Sequence, residues 1–169
     1  MVDIKRILLP TDYSELAAHA ARHAQFLATA HGAEVHVLHV VVPSRIAGAA
    51  PVAGDVGAVA LIPDTNTLID AQKPRMNAFA EGFVREAGIQ VITDIRVGVA
   101  HDTIAHYAQE NKIDLIVIGS HARGLVNRIF FGSTSKAVLE SAPCPVLMVP
   151  VATMPEPAPG QTAVEAHDG

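Results

Sequence analysis

Two short clusters of glycine and serine have the residue types and spacing of a phosphate-binding site. The first, Gly119-Ser120-His121-Ala122, directly follows an apolar run, and the second, Gly132-Ser133, opens a helical pattern. Glycine allows the backbone to approach a ligand closely. The free N–H groups and the positive end of a helix favour an anion. A hydroxyl at the helix start can either cap the helix or donate to a phosphate oxygen, so Ser133 has two candidate roles.

The elements that must position these clusters are strands alternating with helices. Apolar runs predict strands at 4–10, 34–42, 89–97, 114–119 and 145–149, and helical patterns cover 15–31, 67–87, 101–111 and 133–141. Strands this apolar suit a parallel sheet covered on both faces. The alternation predicts an α/β fold with a doubly wound, five-stranded parallel sheet and right-handed crossovers. The common strand order for such a Rossmann-like fold is 3-2-1-4-5.

The alternation predicts one domain over residues 1–152. Within it, residues 43–66 are rich in Gly, Ala and Pro without a clear period, and we expect a long flexible loop there. The proline-containing tail 153–169 is predicted to be disordered.

Composition limits the classes of partner. Half of the residues are apolar and the net charge is -5, which argues against nucleic acid and against an anionic membrane surface. No apolar run approaches the roughly 20 residues that a membrane helix needs. The single cysteine, Cys144, cannot form an internal disulfide. We therefore expect a soluble, cytoplasmic protein.

In the predicted sheet, a ligand should bind beyond the carboxyl ends of strands one and four, where the strand order reverses. The residues at these ends, with two from the end of strand two as an apolar wall, are Pro10, Thr11, Asp12, Val40, Val41, Ile118, Gly119, His121, Ala122 and Arg123. The window 119–136 also holds Arg128 and Lys136 and no acidic residue. This positive charge either serves an anion site or is ordinary solvated loop charge.

Two pairs of histidines are candidate functional residues. His19 and His23 are spaced i, i+4 on a predicted helix, but no third ligand accompanies them at motif spacing. We therefore predict no metal site. His36 and His39 alternate with apolar residues on a strand, and structural positions are expected for both.

Five segments of the chain together resemble the universal stress protein family. They are ILLPTDYSE at 7–15, LHV at 38–40, DLIVIGSH at 114–121, GSTS at 132–135 and APCPVLMVP at 142–150. The resemblance covers roughly residues 2–151. It implies the doubly wound α/β fold of the UspA type and a homodimer. The dimer would pair through the last strand, at Val146, Leu147, Met148 and Val149.

One branch of this family binds ATP through a Gly-x2-Gly-x9-Gly-Ser/Thr signature. Here Gly119 and Gly132-Ser133 stand at the family's spacing, and Ala122 replaces the middle glycine. If that position needs a left-handed backbone, alanine costs roughly 1–2 kcal/mol, whereas a need for space alone tolerates a methyl group. The resemblance implies ATP or AMP, with or without Mg²⁺. It implies adenosine near Asp12 and near Val40 or Val41, and phosphates near Gly119, Arg123, Gly132, Ser133 and Thr134.

Three functions remain at this point. The first is a regulatory protein of the stress response that holds an adenine nucleotide without fast turnover. The second is a dimeric interaction module that binds no nucleotide and acts by docking a partner, which the substitution at Ala122 keeps open. The third, slow ATP hydrolysis or autophosphorylation, lacks a visible general base, and we predict no catalytic residue.

Overall fold

The computed structural model describes residues 3–43, 64–122 and 132–152. Its elements in chain order are β1 (Arg6–Thr11), α1 (Glu15–His31), β2 (Glu34–Val41), α2 (Thr65–Ala87), β3 (Val91–Val97), α3 (Ala100–Glu110), β4 (Leu115–Ala122), α4 (Ser133–Ser141) and β5 (Val146–Ala152). The strands form a five-stranded sheet in the order β3-β2-β1-β4-β5, and every neighbouring pair is parallel. The predicted α/β class and strand order are confirmed.

Each face of the sheet has its own apolar core, because successive strand side chains point to opposite faces. On one face, Leu9 packs with alanines of α1 and with Met76 of α2. On the other, Leu8 packs with Ile104 of α3 and Val138 of α4. Both cores consist mainly of Ala, Val, Ile and Leu, with Met76 in the first and Tyr107 in the second.

Local capping explains where the first two helices begin and end. Ser14 accepts a hydrogen bond from a backbone N–H of the first turn of α1, and Gly32, at φ 64°, ends that helix. Asp64 accepts N–H bonds in the same way at the start of α2. Because Asp64 supplies this cap, α2 begins at Thr65 rather than at Thr67 as the periodicity predicted.

Strands β4 and β5 run further than the sequence predicted. β4 continues past Gly119 to Ala122, and β5 continues past Val149 to Ala152. Pro150 lies inside β5 and is in register with Ser120. A proline is tolerated there because β5 is an edge strand, where an outward backbone position needs no N–H donor.

Two predicted segments lie outside the described residues. They are residues 44–63 of the predicted flexible loop and the whole predicted tail 153–169. In the part of the chain that the structure describes, no helix is both long enough and apolar enough to cross a membrane.

Candidate functional site

A cavity of about 300 Å³ opens at the carboxyl end of the sheet, between β1 and β4. Strand β1 has β2 on one side and β4 on the other, so this is the point at which the strand order reverses. Its volume lies at the lower end of the range of ligand pockets, about 300–1,000 Å³. The cavity is therefore where a ligand of a doubly wound sheet is expected.

The structure brings most of the predicted site residues to this cavity. Those that line it are Pro10, Thr11, Asp12, Val40, Ile118, Gly119, Gly132, Ser133 and Thr134. Val41 does not, because strand alternation turns its side chain to the opposite face, where it is buried. His121 and Ala122 continue the backbone of β4 beyond Gly119. Arg123 lies outside the described residues.

One wall of the cavity is apolar and larger than the sequence analysis suggested. Leu38 and Val40 lie on one face of β2, and Val42 directly follows the strand. Ile104 of α3 and Ile118 of β4 complete the wall. The period-two alternation of β2 could have identified Leu38 and Val42 once Val40 was chosen. Only the packing of α3 against the sheet brings Ile104 there.

Gly119 is required by close packing rather than by its backbone dihedral angles. A Cβ atom at this position would stand 2.6 Å from the backbone oxygen of Leu16 and 2.9 Å from its carbonyl carbon. The Ser135 hydroxyl donates a hydrogen bond to the Gly119 oxygen at 3.1 Å. Gly119 thus sets how closely α1 lies on β4, and it also anchors the first turn of α4.

The N-terminus of α4 faces the cavity without a side-chain cap. Gly132 occupies the N-cap position at φ -58° and ψ 151°, and no side chain accepts a bond from the first turn. Ser133, Thr134 and Ser135 of that turn all line the cavity. The first N–H groups of a helix have no partner within it. Ser133 is therefore not the helix cap, and this end of the cavity presents hydrogen-bond donors.

Charge is sparse among the described lining residues. Asp12 is the single charged one, and its carboxylate accepts the backbone N–H of Ser14 at 3.0 Å. Lys136 is exposed and pairs with Glu140 at 3.8 Å instead of lining the cavity. Arg123 and Arg128, the other cations of the predicted positive window, lie outside the described residues.

Two titratable groups lie behind the turn that carries Asp12. Burial lowers the pKa of His39, with its bond to the Thr11 carbonyl acting in the opposite direction. Burial also raises the pKa of Tyr13 to about 12. Both side chains are therefore neutral near pH 7. Neither lines the cavity, and the sequence reading had given Tyr13 no role.

Comparison with known proteins gives a consistent result. The model of the universal stress protein family matches residues 3–150. Universal stress protein MJ0531 of Methanocaldococcus jannaschii is 31% identical over 145 residues, which are 86% of this chain and 81% of that protein. The solved structure of universal stress protein UspA from Lactobacillus plantarum is 29% identical. It superposes with a TM-score of 0.66 over 88% of this chain and 99% of that chain.

Two further solved structures share the fold and were determined with nucleotides. A universal stress protein in complex with cAMP is 19% identical, with a TM-score of 0.60 over 87% of this chain and 97% of that chain. The universal stress protein from Archaeoglobus fulgidus in complex with dAMP is 22% identical. Its TM-score is 0.59 over 88% of this chain and 98% of that chain.

Proposed function

Because the chain belongs to the universal stress protein family, we propose that it is a cytoplasmic regulatory protein of the stress response that holds ATP or AMP without rapid turnover. One observation carries the proposal: three separate parts of the chain converge on one cavity. They are the turn with Asp12, Gly119 of β4 and the uncapped start of α4 at Gly132. Nucleotides bind at this position in doubly wound sheets.

The adenosine belongs on the apolar side of the cavity. Val40, Ile104 and Ile118 present aliphatic surface that suits the faces of a purine ring. The Asp12 carboxylate stands beside this wall and can accept hydrogen bonds from ribose hydroxyls. A base against the aliphatic wall and a ribose beside Asp12 would leave the phosphates pointing toward α4.

The phosphates belong at the start of α4. Its uncapped N–H groups favour an anion, and the hydroxyls of Ser133 and Thr134 add donors. A side chain at Gly132 would stand between this backbone and a phosphate group. With ATP, Mg²⁺ would be held chiefly by phosphate oxygens and water.

The two nucleotide-bound neighbours support the choice of ligand class. Those proteins were solved with cAMP and dAMP, both adenine nucleotides, on the fold that this chain shares. At 19% and 22% identity their likeness extends to the fold alone. The case for this chain therefore rests on its own cavity residues.

The second candidate function is an interaction module that binds no nucleotide. Two observations favour it: Ala122 replaces a glycine of the family's ATP signature, and no lysine or arginine is among the described lining residues. A phosphate group at this cavity would have backbone and hydroxyl donors but no described cationic side chain.

Titration calorimetry with ATP, AMP and cyclic AMP tests the proposal. We expect ATP or AMP to bind with measurable heat and to raise the melting temperature. Mass spectrometry of any ligand released from the purified protein would identify the natural nucleotide. Absence of both heat and thermal shift with all three nucleotides at millimolar concentration would overturn the proposal and favour the interaction module.

The Gly132→Val variant locates the phosphates. A Cβ at Gly132 meets no atom within 4 Å, so the variant should fold. Its branched side chain should weaken binding at least about tenfold by blocking backbone approach to phosphate. Gly82→Val is the matched control, because a Cβ at Gly82 of α2 also meets nothing and this glycine does not line the cavity. Equal affinities of the two variants would mean that the phosphates lie elsewhere.

We also propose a homodimer through β5. This strand is one of the two edges of the sheet, and Leu147 on it is 38% exposed. An apolar edge strand favours pairing with another chain. In a two-fold dimer with antiparallel β5 strands, each protomer would cover the β5 edge of the other and would bury its Leu147.

Light scattering at micromolar concentration tests the dimer. We expect a dimeric mass for the wild type and a monomeric mass for Leu147→Lys. Ile92→Lys is the matched control, because Ile92 is 36% exposed on β3, the opposite edge strand. A monomeric wild type, or a dimer that only Ile92→Lys disrupts, would overturn this assignment.

A further inference from the structure

The turn after β1 contains a tyrosine in an unusual backbone conformation. Tyr13 has φ 63°, in the left-handed region that bulky residues rarely adopt. Two side chains of the turn bond forward to its backbone: the Thr11 hydroxyl accepts the N–H of Tyr13, and the Asp12 carboxylate accepts the N–H of Ser14, both at 3.0 Å. The reversal at Tyr13 separates its ring from Asp12, which faces the cavity.

The ring of Tyr13 is held by three contacts on the side away from the cavity. It stacks on His39 with ring centroids 4.5 Å apart and meets the edge of Phe79 at 6.0 Å. The Arg75 guanidinium lies 4.7 Å from the ring centroid. The Tyr13 hydroxyl is buried and has no hydrogen-bond partner among the described residues. The ring, rather than the hydroxyl, therefore offsets the cost of the left-handed backbone.

His39 holds the same turn through a hydrogen bond. Its Nδ1 lies 2.7 Å from the backbone oxygen of Thr11, its register partner on β1. A carbonyl oxygen only accepts, so Nδ1 carries the proton and donates. The groups that face His39 are the Asp12 carboxylate and Tyr13 from the turn and Arg75 from α2.

We propose that Tyr13 and His39 are positioning residues for the nucleotide site, together fixing the Thr11–Asp12 backbone so that the Asp12 carboxylate faces the ligand. This inference rests on the proposed function, because it assigns a role at that site. Neither residue contacts the cavity. They act from behind, through a ring stack and one hydrogen bond to Thr11.

Nucleotide affinity of three variants, measured with ATP and AMP, tests the inference. His39→Leu removes the donor and should weaken binding about tenfold. His39→Asn places an amide N–H near the position of Nδ1 and should restore most of that affinity. Tyr13→Leu removes the ring that stacks on His39 and should also weaken binding about tenfold, and wild-type affinity in this variant would overturn the role of Tyr13.

A merely structural role is separated by measuring stability and affinity together. His36→Gln is the matched control, because His36 is buried on the same strand at the other end of the sheet. It should lower the melting temperature without changing affinity. If His39→Leu behaves like His36→Gln, or if His39→Asn binds no better than His39→Leu, the positioning role is overturned while nucleotide binding stands. If the wild type binds neither nucleotide, the proposed function fails and the positioning role fails with it.

Discussion

The two ends of the sheet differ in whether backbone donors remain for a ligand, although both ends contain hydrogen-bonded polar side chains. At the amino end these groups bond to one another and to the backbone. The Asp114 carboxylate accepts the backbone N–H groups of Lys5 and Arg6, both at 2.9 Å. The Arg6 guanidinium reaches Glu34 at 3.1 Å. Asp114 thereby ties the start of β1 to the start of β4.

The buried histidine of the amino end is also fully engaged. Nδ1 of His36 lies 2.9 Å from the Tyr107 hydroxyl, and Nε2 lies 3.2 Å from Glu34. At the carboxyl end, by contrast, the start of α4 has no side-chain cap and opens on the cavity. Hydrogen-bonded side chains therefore hold the fold at both ends, and the carboxyl end differs because the first N–H groups of α4 remain available to a ligand.

Gly119→Ala should have the largest effect, because it changes packing at the carboxyl end. Its new Cβ would meet the Leu16 backbone at 2.6 Å, so α1 must move away from β4. We expect the free energy of unfolding to fall by about 2–3 kcal/mol, measured by urea denaturation. Gly132→Ala is the control, because its Cβ meets nothing within 4 Å. Equal stability of the two variants would contradict this role for Gly119.

Alanine variants of Asp12 and Asp114 should show different losses, of nucleotide affinity at the carboxyl end and of stability at the amino end. Asp114→Ala loses two bonds from backbone N–H groups to a carboxylate, and we expect a loss of about 2 kcal/mol in unfolding free energy with unchanged nucleotide affinity. Asp12→Ala should weaken nucleotide binding about tenfold with less than about 1 kcal/mol of destabilisation. Calorimetry and urea denaturation of both variants check the contrast, and a reversed pattern would refute it.

The chain's two tyrosines lie at opposite ends of the sheet and should both lower stability at alkaline pH. Burial raises the pKa of Tyr13 and of Tyr107 to about 12, whereas an unfolded tyrosine titrates near 10. The contribution of each is complete below about pH 10 and is lost as pH rises toward 12. Denaturation between pH 9 and 12 should show a smaller loss in Tyr13→Phe and in Tyr107→Phe than in the wild type.

Tyr13→Phe and Tyr107→Phe should lower the free energy of unfolding by different amounts at pH 7. Tyr107→Phe leaves Nδ1 of His36 without its described partner, so it should lower the free energy of unfolding by about 1 kcal/mol. Tyr13→Phe should cost less, since its hydroxyl has no described partner. Equal losses at pH 7 would show that the amino end gains nothing from its buried hydrogen bond.

Ala122→Gly should have the smallest effect. Ala122 lies in β4, in register with Ala152, and the described non-glycine residues with positive φ are Tyr13 and Lys112 alone. The left-handed strain considered for this position therefore does not arise. Glycine should cost about 0.5–1 kcal/mol of stability through chain entropy and leave nucleotide affinity unchanged. A clear gain in affinity would show that the methyl group obstructs the ligand.

Much of the fold could be predicted because its signals are local. Alternating apolar runs and helical periods identified every strand and helix of the described chain, and the predicted bounds of α1, 15–31, agree with its caps at Ser14 and Gly32. Element ends were less predictable. The predicted last strand ended at residue 149, whereas β5 continues through Pro150 to Ala152, because a proline ends a strand only where a neighbouring strand needs its backbone N–H.

The site could be predicted only in part. The sequence brought Asp12, Gly119 and Ser133 into one predicted crevice, and the structure has all three lining one cavity. The sequence did not distinguish Val40 from Val41 as the cavity residue, because both lie at the end of the same predicted apolar strand. Which of the two faces the cavity depends on strand register.

By itself, the sequence determined the α/β class and the carboxyl end of the sheet as the place for a ligand, because these follow from the alternation of strands and helices. The strand order was taken from the common order of this fold class, and the tertiary structure decided it. Only the tertiary structure decided that Gly119 makes room for Leu16, that Ile104 joins the cavity wall, and that His39 and Tyr13 support the turn of Asp12 from behind. These contacts join residues from different elements. Their distances are set by how helices pack on the sheet, which no local pattern encodes.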